Sequence, residues 1–164
     1  MDKIKIEILS ILSDDNRTDH KTIAAMVGTD EETVDRLIEE MEKDRVIMKY
    51  TAIIDWDKVH AESTVSARID VQVQPQREVG YDDIARRICR FPEVKALMLV
   101  SGKFDFIVMV EAPTMMDVSN FVSGKLATID GVRSTWTTFV LKKYKENEVI
   151  YGERDGDHRQ VVTL

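Results

Sequence analysis

The stretch from Val94 to Ala112, VKALMLVSGKFDFIVMVEA, constrains this chain most. Two short apolar runs, rich in β-branched residues and free of proline, flank Ser101-Gly102-Lys103-Phe104-Asp105. Each run reads as a mostly buried strand. The glycine, lysine and aspartate between them are the chemistry of a tight hairpin. Everything beyond residue 60 can be arranged around that hairpin. The pattern predicts a strand over 65–73, a helix over 81–91, the hairpin strands 94–100 and 106–112, a helix over 114–129 and a strand over 134–141. Ile84 and Ile88 give the first helix one apolar side, and Val118, Phe121, Val122 and Leu126 do so for the second. Pro75, Gly80, Pro92, Pro113 and Asp130-Gly131 punctuate the connections. The order βαββαβ is the ferredoxin-like α+β arrangement, one antiparallel sheet with both helices on one face. The other face carries apolar residues with nothing to cover them, so a partner is expected there, most simply a second copy.

The first fifty residues follow a different period. Ile4, Ile8, Ile11 and Leu12 mark an amphipathic helix over 3–13. Thr18 or Asp19 can cap a second helix that ends at Gly28 in a left-handed C-cap. Asp30, or Thr29 with Glu32 as a capping box, starts a third, where Val34, Leu37, Ile38 and Met41 fall on one face. Three helices with a glycine turn before the last make a helix-turn-helix. Val46–Ile54 then reads as an extended wing or linker strand. The expected division is a winged helix-turn-helix over 1–50, a linker strand and connection over 51–63, the βαββαβ domain over 64–143 and a polar tail over 144–164, with a short strand at 160–164.

Composition narrows the function classes. Of 164 residues, 43% are apolar and 32% charged, which supports two small cores and argues against wholesale disorder. A net charge of −7 argues against non-specific polyanion binding as the main activity. The single cysteine, Cys89, excludes an internal disulfide framework and reads as a small buried hydrophobe. No apolar run reaches the roughly 18 residues of a membrane span, and MDKIKIEILSIL lacks the features of a signal peptide. The expectation is a cytoplasmic protein with no membrane partner. His20, His60 and His158 stand in separate segments without metal-ligand spacing. No nucleophile–base pair or glycine-rich phosphate loop stands out. No catalytic residue, metal site or cofactor is therefore expected, and the chain reads as a non-enzyme. Trp56 and Trp136 read as packing or interface residues.

The ordered set of features resembles the Lrp/AsnC (feast/famine) family of transcriptional regulators over about residues 1–145. In the first half the resemblance rests on Ile8-Leu9 and Leu12, Arg17, Ala24 with Val27-Gly28, Val34 and Arg36, Met41-Glu42, and Val46-Ile47 through Tyr50 to Asp55. In the second it rests on Phe91-Pro92-Glu93-Val94, Ser101 to Phe106, and Gly131-Val132 through Thr135, Thr137 and Phe139-Val140-Leu141. The resemblance implies a head that binds double-stranded DNA and a second domain that binds an effector and oligomerises. It implies homodimers assembled into octamers or larger discs, and amino-acid-like effectors bound between dimers near the hairpin turn.

Candidate residues follow from both readings. At the hairpin, Gly102 can bring a backbone amide to a carboxylate without a side-chain clash. Asp105 offers an anion to an ammonium group, and Phe104 or Phe106 can wall an aliphatic side chain. Ser101 belongs to the same turn, and Thr135 and Thr137 share one face of the last strand. In the head, Glu31, Glu32, Thr33 and Arg36 start the third helix, where a recognition helix meets base edges, and a glutamate there can accept from cytosine N4. Phosphate contacts fall to Arg17, His20, Lys21, Arg36, Arg45 and Lys49. Residues 30–44 carry eight carboxylates against Arg36 and Lys43, a net of −6. That acidity supports a second reading, a small-molecule-sensing assembly protein whose helix-turn-helix contacts proteins instead of DNA.

Overall fold

A computed structural model describes residues 3–59, 64–74 and 80–151. Contacts divide the chain into two units, Met1–Ile54 and Asp55–Leu164, described separately here.

The first unit is three helices: α1 (Lys3–Asp14), α2 (His20–Val27) and α3 (Glu31–Lys43). Asp19 caps α2, its carboxylate accepting from the Thr22 N–H at 2.9 Å. Asp30 caps α3 in the same way, accepting from the Thr33 N–H at 2.8 Å. Gly28 ends α2 in the left-handed region, as the capping pattern predicts. The helices meet around Ile8, Ile23, Ala24, Val34, Leu37, Ile38 and Met41, all buried. Burying each of the larger side chains contributes about 1.5–3 kcal/mol. α3 ends with the Arg45 N–H donating to the Glu42 carbonyl and the Val46 N–H to the Met41 carbonyl. Arg45 itself sits at φ 57°, a left-handed position where glycine is the usual occupant.

The expected strand over 46–54 does not form. A strand needs a neighbour to take its N–H and C=O groups, and no described strand pairs with this segment. Instead the segment is tied back to the helices at two points. The Tyr50 hydroxyl donates to Glu42 Oε1 at 2.9 Å, and Asn16 Nδ2 donates to the Thr51 carbonyl at 2.9 Å. Burial, then the Glu42 carboxylate, push the Tyr50 phenol up to about 12.

The second unit contains β1 (Val65–Val73), α4 (Gly80–Ile88), β2 (Val94–Leu99), β3 (Phe106–Ala112), α5 (Met115–Gly124) and β4 (Val132–Phe139). The sheet order is β2-β3-β1-β4, with every pairing antiparallel. This is the ferredoxin-like layout. Alternation sends Ala67, Ile69, Val71 and Val73 of β1, and Phe106, Val108, Val110 and Ala112 of β3, to one side. There they pack with Ile84 and Ile88 of α4, Val118 and Phe121 of α5, and Leu126. Residues between them point the other way. One register row crosses the whole sheet on that side: Met98, Ile107, Asp70 and Trp136. Trp136 is 65% exposed and Met98 45%.

Several boundaries differ from expectation for identifiable reasons. α4 stops at Ile88 because the chain tightens through Arg90 and Phe91 before Pro92. α5 stops at Gly124, and Leu126 reaches the core from a 3₁₀ turn, Leu126–Thr128. β4 runs over Val132–Phe139, and one further bond, from the Val140 N–H to the Ser66 carbonyl at 2.9 Å, precedes Leu141, which is 91% exposed. Cys89 is exposed, not buried, because one residue past Ile88 turns it off the apolar stripe. Residues 145–150, read as tail, form a small hairpin, β5 (Lys145–Glu146) and β6 (Val149–Ile150). Its two central residues, Asn147 and Glu148, have positive φ, as a type I′ turn requires. The strand expected at 160–164 lies outside the described residues.

Gly131 holds the entry to β4. Its φ is 95°, and an added Cβ would sit 2.8 Å from Ile84 Cδ1 and 3.3 Å from the Gln74 carbonyl oxygen. Gly131→Ala is therefore expected to destabilise this unit by about 1–3 kcal/mol. Gly124→Ala, at the end of α5 with open space around it, is expected to be neutral or to stabilise by up to about 1 kcal/mol. Urea midpoints of the two variants check the opposite signs.

Candidate functional site

The hairpin turn and the start of β4 meet at one end of the sheet. Asp105 organises this end. Its N–H donates to the Val71 carbonyl at 3.0 Å, and its carbonyl accepts from the Val100 N–H at 2.8 Å. Its carboxylate accepts from the Val73 N–H at 2.8 Å through Oδ2 and from the Tyr81 hydroxyl at 3.1 Å through Oδ1. That bond to a carboxylate raises the Tyr81 phenol above its ordinary value. Phe106 is 2% exposed and stands edge-on to Tyr81, with ring centroids 5.9 Å apart. Asp105 and Phe106, expected to face a ligand, thus brace the hairpin against β1 and α4 within this chain. Tyr81 is the member of the cluster that the sequence does not advertise, because nothing 24 residues upstream marks it as a partner of Asp105.

Ser101 and Gly102 are exposed at the turn, and Phe104 is half-buried with Lys103 Nζ 5.4 Å from its ring centre. Thr135 pairs with Val71 and Thr137 with Ile69, so both sit on the helix-covered side of β4, half-buried. Thr135 shares the hairpin's end of the sheet, and Thr137 lies two residues further along the strand. A concavity of about 90 Å³ nearby, bordered by Gly80, Asp83, Arg87 and Gly131, is smaller than the roughly 300–1,000 Å³ of a small-molecule pocket.

In the head, three expected contact residues are engaged inside the chain. The Arg17 guanidinium donates to both Asp15 oxygens, at 3.0 and 3.2 Å, and holds that carboxyl below the usual carboxylate range. His20 Nδ1 bonds Asp35 Oδ1 across α2 and α3. The Thr33 hydroxyl donates to Asp30 Oδ2 at 2.9 Å. Lys21, Glu31, Glu32, Arg36, Arg45 and Lys49 are exposed, with no ion pair among the described residues. His60 and His158 lie outside the described residues, and no group of three metal-binding side chains occurs within them.

The acidity of α3 resolves on inspection. Asp30 caps the helix, Asp35 meets His20, Glu40 takes Lys5 at 2.8 Å and Glu42 takes Tyr50. At about 100° per residue, the line opposite the buried Val34, Leu37, Ile38 and Met41 carries Glu32, Arg36, Glu39 and Lys43. That outward stripe alternates in sign and sums to zero. The acidic excess lies largely on the flanks, where Glu40 meets a lysine and Asp30, Asp35 and Glu42 bond to N–H, imidazole and phenol groups, which leaves the outward line itself neutral.

The two units match known families separately. Residues 1–48 match the winged helix-turn-helix DNA-binding family, and residues 66–150 the Lrp/AsnC ligand binding domain. The uncharacterized HTH-type transcriptional regulator YugG of Bacillus subtilis is 46% identical over 157 residues, covering 96% of this chain and 95% of that protein. Among solved structures, the transcriptional regulator NMB0573 of Neisseria meningitidis, in complex with L-Met, superposes with a TM-score of 0.69. It is 24% identical and covers 89% of this chain and 93% of its own. AsnC of E. coli superposes with a TM-score of 0.67 at 20% identity, over 89% of this chain and 95% of its own. At these two identities the likeness is one of fold. The matches across both units, and the 46% relative along nearly the whole length, place this chain in the Lrp/AsnC family of helix-turn-helix transcriptional regulators.

Proposed function

We propose that the regulator reads a DNA operator as a homodimer or a larger assembly of dimers, and that an amino-acid-like effector bound at the Ser101–Phe106 hairpin biases that assembly. The observation that carries this reading is the bare face of the sheet. Met98, Ile107, Met109 and Trp136 face outward from a layer whose other side is fully packed. In their midst Asp70, only 8% exposed, accepts from Arg68 at 2.7 Å. An apolar face with a paired charge at its centre suits a self-complementary contact. The unpaired segment 46–54, with Val46, Met48, Ile53 and Ile54 exposed, suits strand pairing with its own copy.

The effector reading rests on the open turn, where Ser101 and Gly102 are accessible and Phe104 supplies a half-buried apolar wall. With Asp105 engaged by Val73 and Tyr81, its carboxylate acts as a brace, and the ammonium partner of an amino acid comes from the facing dimer. The relative solved with L-Met supports the chemical class. The concavity of about 90 Å³ beside Gly80 and Gly131 is too small to hold an amino acid alone and fits a pocket completed only between copies.

Arg45 separates fold from function. Arg45→Gly relieves a left-handed side chain and is expected to leave the head as stable or more stable, by up to about 1 kcal/mol. It should also weaken DNA binding and reduce the slope of log affinity against log salt by about 0.9. Binding to the upstream region, followed across a salt series, checks this, and an unchanged slope removes Arg45 from the phosphate contacts. Ser101→Glu should leave the melting temperature unchanged and abolish changes in mass and DNA mobility caused by free amino acids. Asp105→Ala should instead destabilise the second unit by about 1–3 kcal/mol. A response that survives Ser101→Glu places the effector elsewhere.

A further inference from the structure

We infer that Glu32 and Arg36 form a two-residue reader on α3 that selects a cytosine and a guanine on neighbouring base pairs. Glu32 accepts from the cytosine N4 amino group, and Arg36 donates in pairs to guanine O6 and N7. The inference rests on the operator-binding reading above and deepens it.

Four observations single out this pair. Both residues lie on the outward line of α3, opposite the buried stripe. Both sit in its first two turns, the part of a recognition helix that reaches base edges. Both are exposed and without an ion pair among the described residues. Their separation of four residues is about 6 Å along the axis, the spacing at which a helix lying in the major groove meets successive base pairs. The neighbours fail one test each. Glu31 lies on the flank shared with Asp35 and Glu42, and the Thr33 hydroxyl is donated to Asp30. Glu39 and Lys43 share the outward line but stand in the second half of the helix.

A carboxylate in the major groove discriminates strongly because it tolerates so few bases. Phosphates repel it on both sides, and guanine O6 or thymine O4 would present it with a second acceptor. Only an exposed amino group offsets its loss of water. Adenine also carries one, but beside an N7 acceptor that a carboxylate cannot satisfy. Glu32 therefore contributes selectivity with little affinity, while Arg36 beside it offsets the charge.

Selection from a random duplex library by the full-length protein tests the pair. Wild type, Glu32→Gln, Arg36→Ala and Glu39→Gln are compared, with melting curves confirming that each is folded. The wild type should enrich a half-site holding C and G on neighbouring base pairs. Glu32→Gln should exchange that C for A, because a glutamine reads adenine N6 and N7. Its preference between the two sites should shift by roughly 5- to 150-fold in favour of A. Arg36→Ala should relax the G, and Glu39→Gln should leave both positions unchanged. A wild-type motif that neither Glu32→Gln nor Arg36→Ala alters, or one that Glu39→Gln shifts in the same way, overturns the pair and leaves operator binding standing. If the wild type enriches no motif at low salt, operator binding fails and the pair fails with it.

Discussion

The second unit depends on the period-two alternation of β1 and β3. The same register that buries Ile69, Val71, Val108 and Val110 under two helices must turn Asp70, Ile107 and Met109 to the opposite side. A one-residue slip would exchange the two sets and bury Asp70 under the helices, so the register is strongly specified. Two helices can cover only one face of a four-stranded layer. Exposure of Met98 and Trp136 on the other, with Ile107 half-buried between them, follows from the topology. In the proposed assembly a second copy covers that face, and the contact between copies is what an effector biases.

Asp105 shows how a short motif serves structure before recognition. Its backbone and carboxylate tie the hairpin to Val71, Val73, Val100 and Tyr81. Polar groups held by several partners at once rigidify the chain around them. The turn carrying Ser101 and Gly102 is thereby fixed relative to β1, the strand whose outer face meets a second copy in the proposed assembly. In the head, Tyr50 and Asn16 perform the same service, tying the exit of the chain to α3 and to the α1–α2 turn.

Much of this was legible in the sequence because local chemistry and global fold agree. Asp19, Asp30 and Gly28 cap the helices where their side chains and conformations predict. Strands β1 and β3 match their apolar runs residue for residue. What was not legible depends on partners distant in sequence or absent from the chain. The segment 46–54 has the composition of a strand, but composition does not supply the neighbour that strand pairing needs. The bonds from Val73 and Tyr81 to Asp105 were not legible because those partners lie more than 20 residues away. The acidity of α3 read as an obstacle because summed charge ignores which way each carboxylate points. The hairpin at Asn147-Glu148 went unread because two-residue strands leave no periodic signal.

The central claim is that the outer face of the sheet is covered by a second copy. Trp136 stands on that face, so collisional quenching of its fluorescence by acrylamide, in a Trp56→Phe background, tests the claim most directly. Trp136 should be shielded at micromolar protein and become accessible on dilution, in step with the fall in mass from a multiple of 18.8 kDa. Full accessibility at every concentration, in a protein of mass 18.8 kDa throughout, would contradict the account.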